Sequence, residues 1–194
     1  MVDFPANTFY KDLKFTYDKM PSNRGLLSGI HIIHNKTVPV HENIRLSVQI
    51  SDRWRNLYDK LILVNVDTVS GKFSSVGGIC NNGWVTSNIR AFGNFAVSAD
   101  TIPPKIIPLS IKNNNMLTES SKIRFLITDD LSGIKSIEGF MDNIWMLFDY
   151  DAKNDLIVHN IDPERFEMGI KHHLILHVTD SKGNSSVYEA AFIK

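Results

Sequence analysis

Between Asn43 and Ile50 the chain reads Asn-Ile-Arg-Leu-Ser-Val-Gln-Ile, with an apolar residue at every second position. Side chains alternate across a strand, so such a run buries one face and leaves the other in water. Short runs of this kind, broken by Gly, Pro, Asn and Asp, recur along the whole chain. They have the period of two expected of antiparallel sheets, not the 3.6-residue period of helices. In the first half, strands are expected over 12–18, 29–34, 43–50, 60–66, 74–79, 83–88 and 94–99. Asn82-Gly83 sits between two of these runs and marks a tight hairpin, because both residue types tolerate positive φ. Residues 52–58 depart from the pattern: Trp54, Leu57 and Tyr58 share a helical face, which fits either a short helix or a connecting loop.

The pattern resets after Asp100. Pro103-Pro104 cannot donate backbone hydrogen bonds and biases the preceding residues towards extended geometry, which makes a semi-rigid joint. Beyond it, strands are expected over 105–111, 122–129, 134–141, 143–149, 155–159, 172–180 and 185–193, with tight turns at Met141-Asp142-Asn143 and at Ser181-Lys182-Gly183-Asn184. That density of strands, with turns every ~8–12 residues, is the one found in immunoglobulin-like sandwiches, although no Cys-Trp-Cys arrangement is present. The expected fold is therefore all-β, with two antiparallel β-sandwich domains in tandem. Residues 1–101 form a β-sandwich and residues 102–194 an immunoglobulin-like one. A chain of 194 residues accommodates two such domains.

The hydrophobic fraction of 43% is enough to fill real cores, which argues against disorder. Lys+Arg and Asp+Glu balance at 21 each, so no net field draws the chain to nucleic acid. No apolar run approaches the ~20 residues of a membrane-spanning helix. Cys80 is the single cysteine; with Ile79 and Asn81 beside it, nothing local activates it as a nucleophile. The start, Met1-Val2-Asp3-Phe4-Pro5, carries no export signal, but a piece cut from the interior of a secreted protein would begin in the same way.

Three segments in order resemble the bacterial immunoglobulin-like modules of envelope and secreted proteins. Asp100-Thr101-Ile102-Pro103-Pro104-Lys105-Ile106 is similar to their opening motif, and Asp129-Asp130-Leu131-Ser132-Gly133-Ile134 to the turn after their second strand. Val178-Thr179-Asp180-Ser181-Lys182-Gly183-Asn184-Ser185 is similar to their last hairpin. The whole chain, including Phe4 to Tyr10, Val38 to Asn43 and Arg90 to Val97, resembles the region that follows the catalytic domain of Gram-negative, lysostaphin-like zinc metallopeptidases that cleave peptidoglycan. This resemblance implies an accessory region in the periplasm or cell envelope, with the export signal upstream and an attached peptidase domain as partner. The catalytic pattern of those enzymes, a His and an Asp around a Gly-containing spacer followed by His-x-His, does not occur in this chain.

The residues themselves offer few chemical constellations. On a strand His31 and His34 point to opposite faces, as do His172 and His173, so neither pair can grip one metal ion without a bulge. His173 and His177 share a face but lie ~13 Å apart. Asp100, Asp129, Asp130 and Asp180 flank strand ends near the expected joint; gathered there they would suit calcium, and taken singly they cap turns. No nucleophile elbow or phosphate loop is present, so no enzyme activity and no cofactor are expected. Among the aromatics, Trp84 and Trp145 fall within strand-like runs and read as core. Trp54, between Arg53 and Arg55, reads with Tyr58 as a surface pair able to stack on sugars. The expected function is a non-catalytic accessory or interaction module that spaces, positions or docks an attached catalytic domain. The alternative is a carbohydrate- or peptidoglycan-binding module using surface aromatics.

Overall fold

The computed structural model describes residues 1–22, 25–111, 122–162, 164–167 and 169–193. The chain forms two compact units, Met1–Thr101 and Ile102–Lys194, each an antiparallel β-sandwich with its own core.

The first unit contains β1 (Val2–Asp3), β2 (Tyr17–Met20), β3 (Ile30–Ile33), β4 (Ile44–Gln49), β5 (Leu61–Val66), β6 (Phe73–Gly77), β7 (Ile79–Asn81), β8 (Trp84–Ile89) and β9 (Gly93–Ala99). One sheet runs β1-β4-β8-β7 and the other β2-β3-β9-β5-β6. The alternation read in β4 is realised: Ile44, Leu46 and Val48 enter the core while Arg45 and Gln49 remain in water. Central β5 is apolar at successive positions because both its faces are covered, Leu61 and Leu63 on the core side and Ile62 and Val64 on the other. Asn82 and Gly83 both take positive φ and join β7 to β8.

Two expected strands differ from what forms. The run expected over 12–18 pairs only at Tyr17–Met20, because Leu13 packs against the core and Phe15 is held by ring contacts with Phe4, Phe92 and His34 rather than by a ladder. The run expected over 74–79 breaks at Gly77-Gly78, where positive φ turns the chain out of one sheet and into the other. Between β4 and β5, residues Asp52–Lys60 form a 3-10 helix whose Trp54, Leu57 and Tyr58 lie against the core.

The second unit contains β10 (Lys105–Pro108), β11 (Lys122–Thr128), β12 (Ile134–Met141), β13 (Ile144–Met146), β14 (Asp149–Asp151), β15 (Leu156–Asn160), β16 (Lys171–Asp180) and β17 (Ser185–Ile193). Its sheets run β10-β11-β15-β14 and β13-β12-β16-β17. Ile123, Phe125 and Ile127 of one sheet pack into one core with Leu174, Leu176 and Val178 of the other. The single strand expected over 143–149 forms as two short ones in different sheets, β13 and β14. Phe148, at the corner, folds its ring over Gly139 and against Phe125. Such a corner is how a sandwich strand changes layer. Pro104 belongs to this unit, where its carbonyl accepts a 2.5 Å hydrogen bond from Ser186 Oγ.

Candidate ligand-binding site

In the first unit a cavity of about 400 Å³ opens where β2 and β3 of one sheet approach the β1–β4 side of the other. Main-chain bonds between Met1 and Ser47 carry the pairing of β1 and β4 as far as Ser47. Beyond Ser47, no described strand lies on that side of β4, so Val48 to Ser51 form a wall of the cavity instead.

The opposing wall follows from register. Lys19 pairs with His31 and Tyr17 with Ile33, which places all four side chains on one face of the sheet. His31 in turn pairs with Phe95 of the core, so that face carries the core residue Ile33 on β3, while Tyr17 and Lys19 on the edge strand β2 stay exposed. Tyr17 Oη and His31 Nδ1 lie 2.9 Å apart in a hydrogen bond. The stem of Lys19 lies across Gly29, where an added Cβ would sit 2.7 Å from Lys19 Cε and 2.9 Å from the Met20 carbonyl oxygen. Glycine at 29 therefore leaves room for the Met20 main chain, which a side chain there would have to push aside. Burial, and then the positive charge of Lys19, hold the His31 pKa below its ordinary value of 6.5. Trp84 stands beside Gln49 at the rim, 36% exposed. None of the lining residues is an Asp or a Glu.

The aromatics expected in this role are placed differently. Trp54 is half-buried on the 3-10 helix with the Arg53 guanidinium 5.0 Å from its ring centre, and its indole Nε1 is buried without a hydrogen-bond partner. Tyr58 donates to Asp52 Oδ1 at 3.2 Å, and burial together with this bond pushes its hydroxyl pKa up. Trp84 and Trp145, expected in the core, are 36% and 52% exposed. The reason is strand parity: Val85 and Met146 occupy the inward positions beside them, which turns both indoles outwards.

The aspartates expected at the joint are divided between the units. Asp100 is buried at the end of the first unit, its N–H bonded to the Lys60 carbonyl at 2.9 Å. In the second unit Asp180 is fully buried and accepts from Lys182 N, Asn184 N and Asn184 Nδ2 at 2.7, 2.9 and 2.6 Å. Asp129 Oδ2 accepts from the N–H groups of Leu131 and Gly133 at 3.1 and 2.7 Å, while its Oδ1 is buried without a donor. Carboxylate oxygens of Asp129 and Asp180 lie within 4.8 Å of one another. Asp130 turns away to Lys105, 3.4 Å distant. Much of this carboxylate chemistry holds turns closed.

The histidines also bond within their own surroundings. His34 Nδ1 meets Thr16 Oγ1 at 2.9 Å, and His159 Nδ1 meets the Leu147 carbonyl at 2.7 Å. Buried His172 faces Asp142 Oδ2 at 2.6 Å and the Glu167 carbonyl at 2.8 Å. Residues 1–100 match the Zu5-like domain family. No curated protein matches the chain.

Proposed function

The chain belongs to the Zu5-like domain family, and from that premise we propose that it acts as a non-catalytic accessory module that spaces, positions or docks an attached catalytic domain at the cell envelope. The attached domain is a peptidoglycan-cleaving zinc peptidase, and the location is the periplasm or envelope. The observation that carries this reading is that each unit closes its own core while its polar side chains serve turns and strand ends. Asp129 and Asp180 illustrate the second point, and His172 with Asp142 pins a hairpin. Such units are stiff spacers whose surfaces are free to carry recognition. Two four-stranded sheets packed over one core support an immunoglobulin-like reading of the second unit.

The test is co-sedimentation of the purified chain with isolated cell walls, with soluble wall fragments measured in the same tubes. The chain is expected to pellet with the walls and to release nothing. A chain that stays in solution counts against docking, and release of fragments counts against a non-catalytic role.

Glycan binding is the second reading, favoured by the cavity beside Trp84, where an indole, a glutamine and serines stand together. Aromatic faces and hydroxyl-bonding groups are what sugar rings require.

A further inference from the structure

We propose that the outer face of the β1-β4-β8-β7 sheet is a binding platform for a neutral sugar chain, with a pyranose ring lying on Trp84 and Ile79 and its hydroxyl groups bonded by the side-chain amides of Gln49 and Asn81. The proposal rests on the glycan reading, to which it gives a ligand class and a place on the fold.

Register builds the platform. Val48, Val85 and Cys80 pair across β4, β8 and β7 and face the core, so the adjacent row, Gln49, Trp84 and Asn81, faces water. All three of these side chains are exposed. Directly paired side chains start ~4.5–5.5 Å apart, which sets an indole between two amides along a line of roughly 10 Å. The next outward row holds Ser47, Thr86 and Ile79. Ser47 Oγ and Thr86 Oγ1 satisfy each other at 2.8 Å, and Ile79, 70% exposed, adds apolar surface diagonal to the indole. Trp84, Asn81 and Ile79 belong to β8 and β7, the two strands of this sheet farther from β1.

Chemistry selects the occupant. Neither row contains an Asp, Glu, Lys, Arg or His, in a chain whose residues are 22% charged, so the platform has nothing with which to hold an ion. Among the described residues the side-chain amides of Gln49 and Asn81 have no hydrogen-bond partner. An apolar protein surface laid over them would bury their donors and acceptors unpaired, which is costly. A pyranose avoids that cost. Its hydroxyls both donate and accept, which matches an amide, and its C–H face is apolar, which matches an indole and an isoleucine.

The experiment is an NMR titration of the full chain, following backbone amides, side-chain amides and indoles, with cellotetraose and separately with tetra-N-acetylchitotetraose, at low and at high sodium chloride. At least one sugar is expected to shift the Trp84 indole and the Gln49 and Asn81 side-chain amides, with an affinity that salt leaves unchanged because no charge takes part. Trp84→Ala is expected to weaken binding by about tenfold or more. Gln49→Ala and Asn81→Ala, at exposed positions, are expected to weaken it by roughly three- to tenfold each. Trp145→Ala, in the other unit, changes nothing. Binding of neither sugar overturns the platform and the glycan reading together. Binding that shifts other residues instead, or that keeps its strength in folded Trp84→Ala and Asn81→Ala proteins, overturns the platform and leaves the glycan reading standing. Shifts at Trp84 that grow with protein concentration and not with sugar assign the face to a second copy of the chain and overturn the proposal.

Discussion

Replacing Gly139 with alanine sets two opposing effects against each other. Gly139 lies within β12, is buried and has no positive φ, so its backbone conformation is open to any residue. By backbone entropy alone, Gly139→Ala would stabilise the protein by about 0.4–1 kcal/mol. The ring of Phe148, however, rests on the space that the new methyl would take, two of its carbons lying inside normal contact distance. That ring cannot swing away freely, since it meets Phe125 at 6.2 Å and His159 at 5.6 Å between ring centres. Overpacking of this kind costs about 1–3 kcal/mol. The net expectation is a loss of roughly 1–2 kcal/mol, or roughly 5–15 °C in the melting temperature of a unit this size. Thermal and urea unfolding, followed by circular dichroism and by Trp145 fluorescence in a Trp54→Phe, Trp84→Phe background, measure it. In a cycle with Phe148→Leu, the cost of Gly139→Ala is expected to shrink by about 1 kcal/mol. A Gly139→Ala protein at least as stable as its parent, or a cycle without coupling, would falsify the packing argument.

Other perturbations are graded by what the side chain holds. Asp180→Ala removes three acceptor contacts from the last hairpin and leaves buried donors unpaired, so a loss of about 2–4 kcal/mol is expected on urea unfolding; Asp180→Asn is expected to cost less, since one oxygen remains for the two backbone donors. For the Asp142 carboxyl, burial raises the pKa, but the bonds from His172 and from the His173 N–H outweigh it and hold the group below its ordinary 3.8. Its contribution is therefore present above that value and is lost as pH falls through the depressed one. The stability gap between the parent and Asp142→Asn is accordingly expected to be constant from neutrality to about pH 4 and to close below it; a gap that persists in strong acid contradicts this. Because Asp180 is saturated by its own hairpin and Asp130 is paired with Lys105, added calcium is expected to leave the melting temperature where it was. A rise with calcium would instead assign the unpartnered Asp129 oxygen to an ion.

The fold was legible because its period is local. Alternation in 43–50, the paired positive-φ residues Asn82-Gly83 and Asp142-Asn143, and the Asp-led turns before Gly133 and Gly183 each depend on a few neighbouring residues. Where the sequence misled, the deciding interaction was remote. Residues 12–16 read as strand until the rings of Phe4 and Phe92 are seen to hold Phe15. Trp84 and Trp145 read as core until the inward positions prove to be taken by Val85 and Met146. The cavity was the least legible feature. The sequence offers His31 only as a candidate metal ligand beside His34, and only the register of β2 on β3 places Lys19 opposite it. A glycine at 29, next to an apolar run, was the one local sign of a close approach.

The central claim is that these 194 residues are the non-catalytic part of an envelope protein. It is tested most directly by isolating the native polypeptide from fractionated cells and measuring its mass and its location together. The account predicts a polypeptide substantially longer than 194 residues, found in the envelope or periplasmic fraction and bearing a zinc-binding domain. A free-standing polypeptide of this length in the cytosol would contradict it.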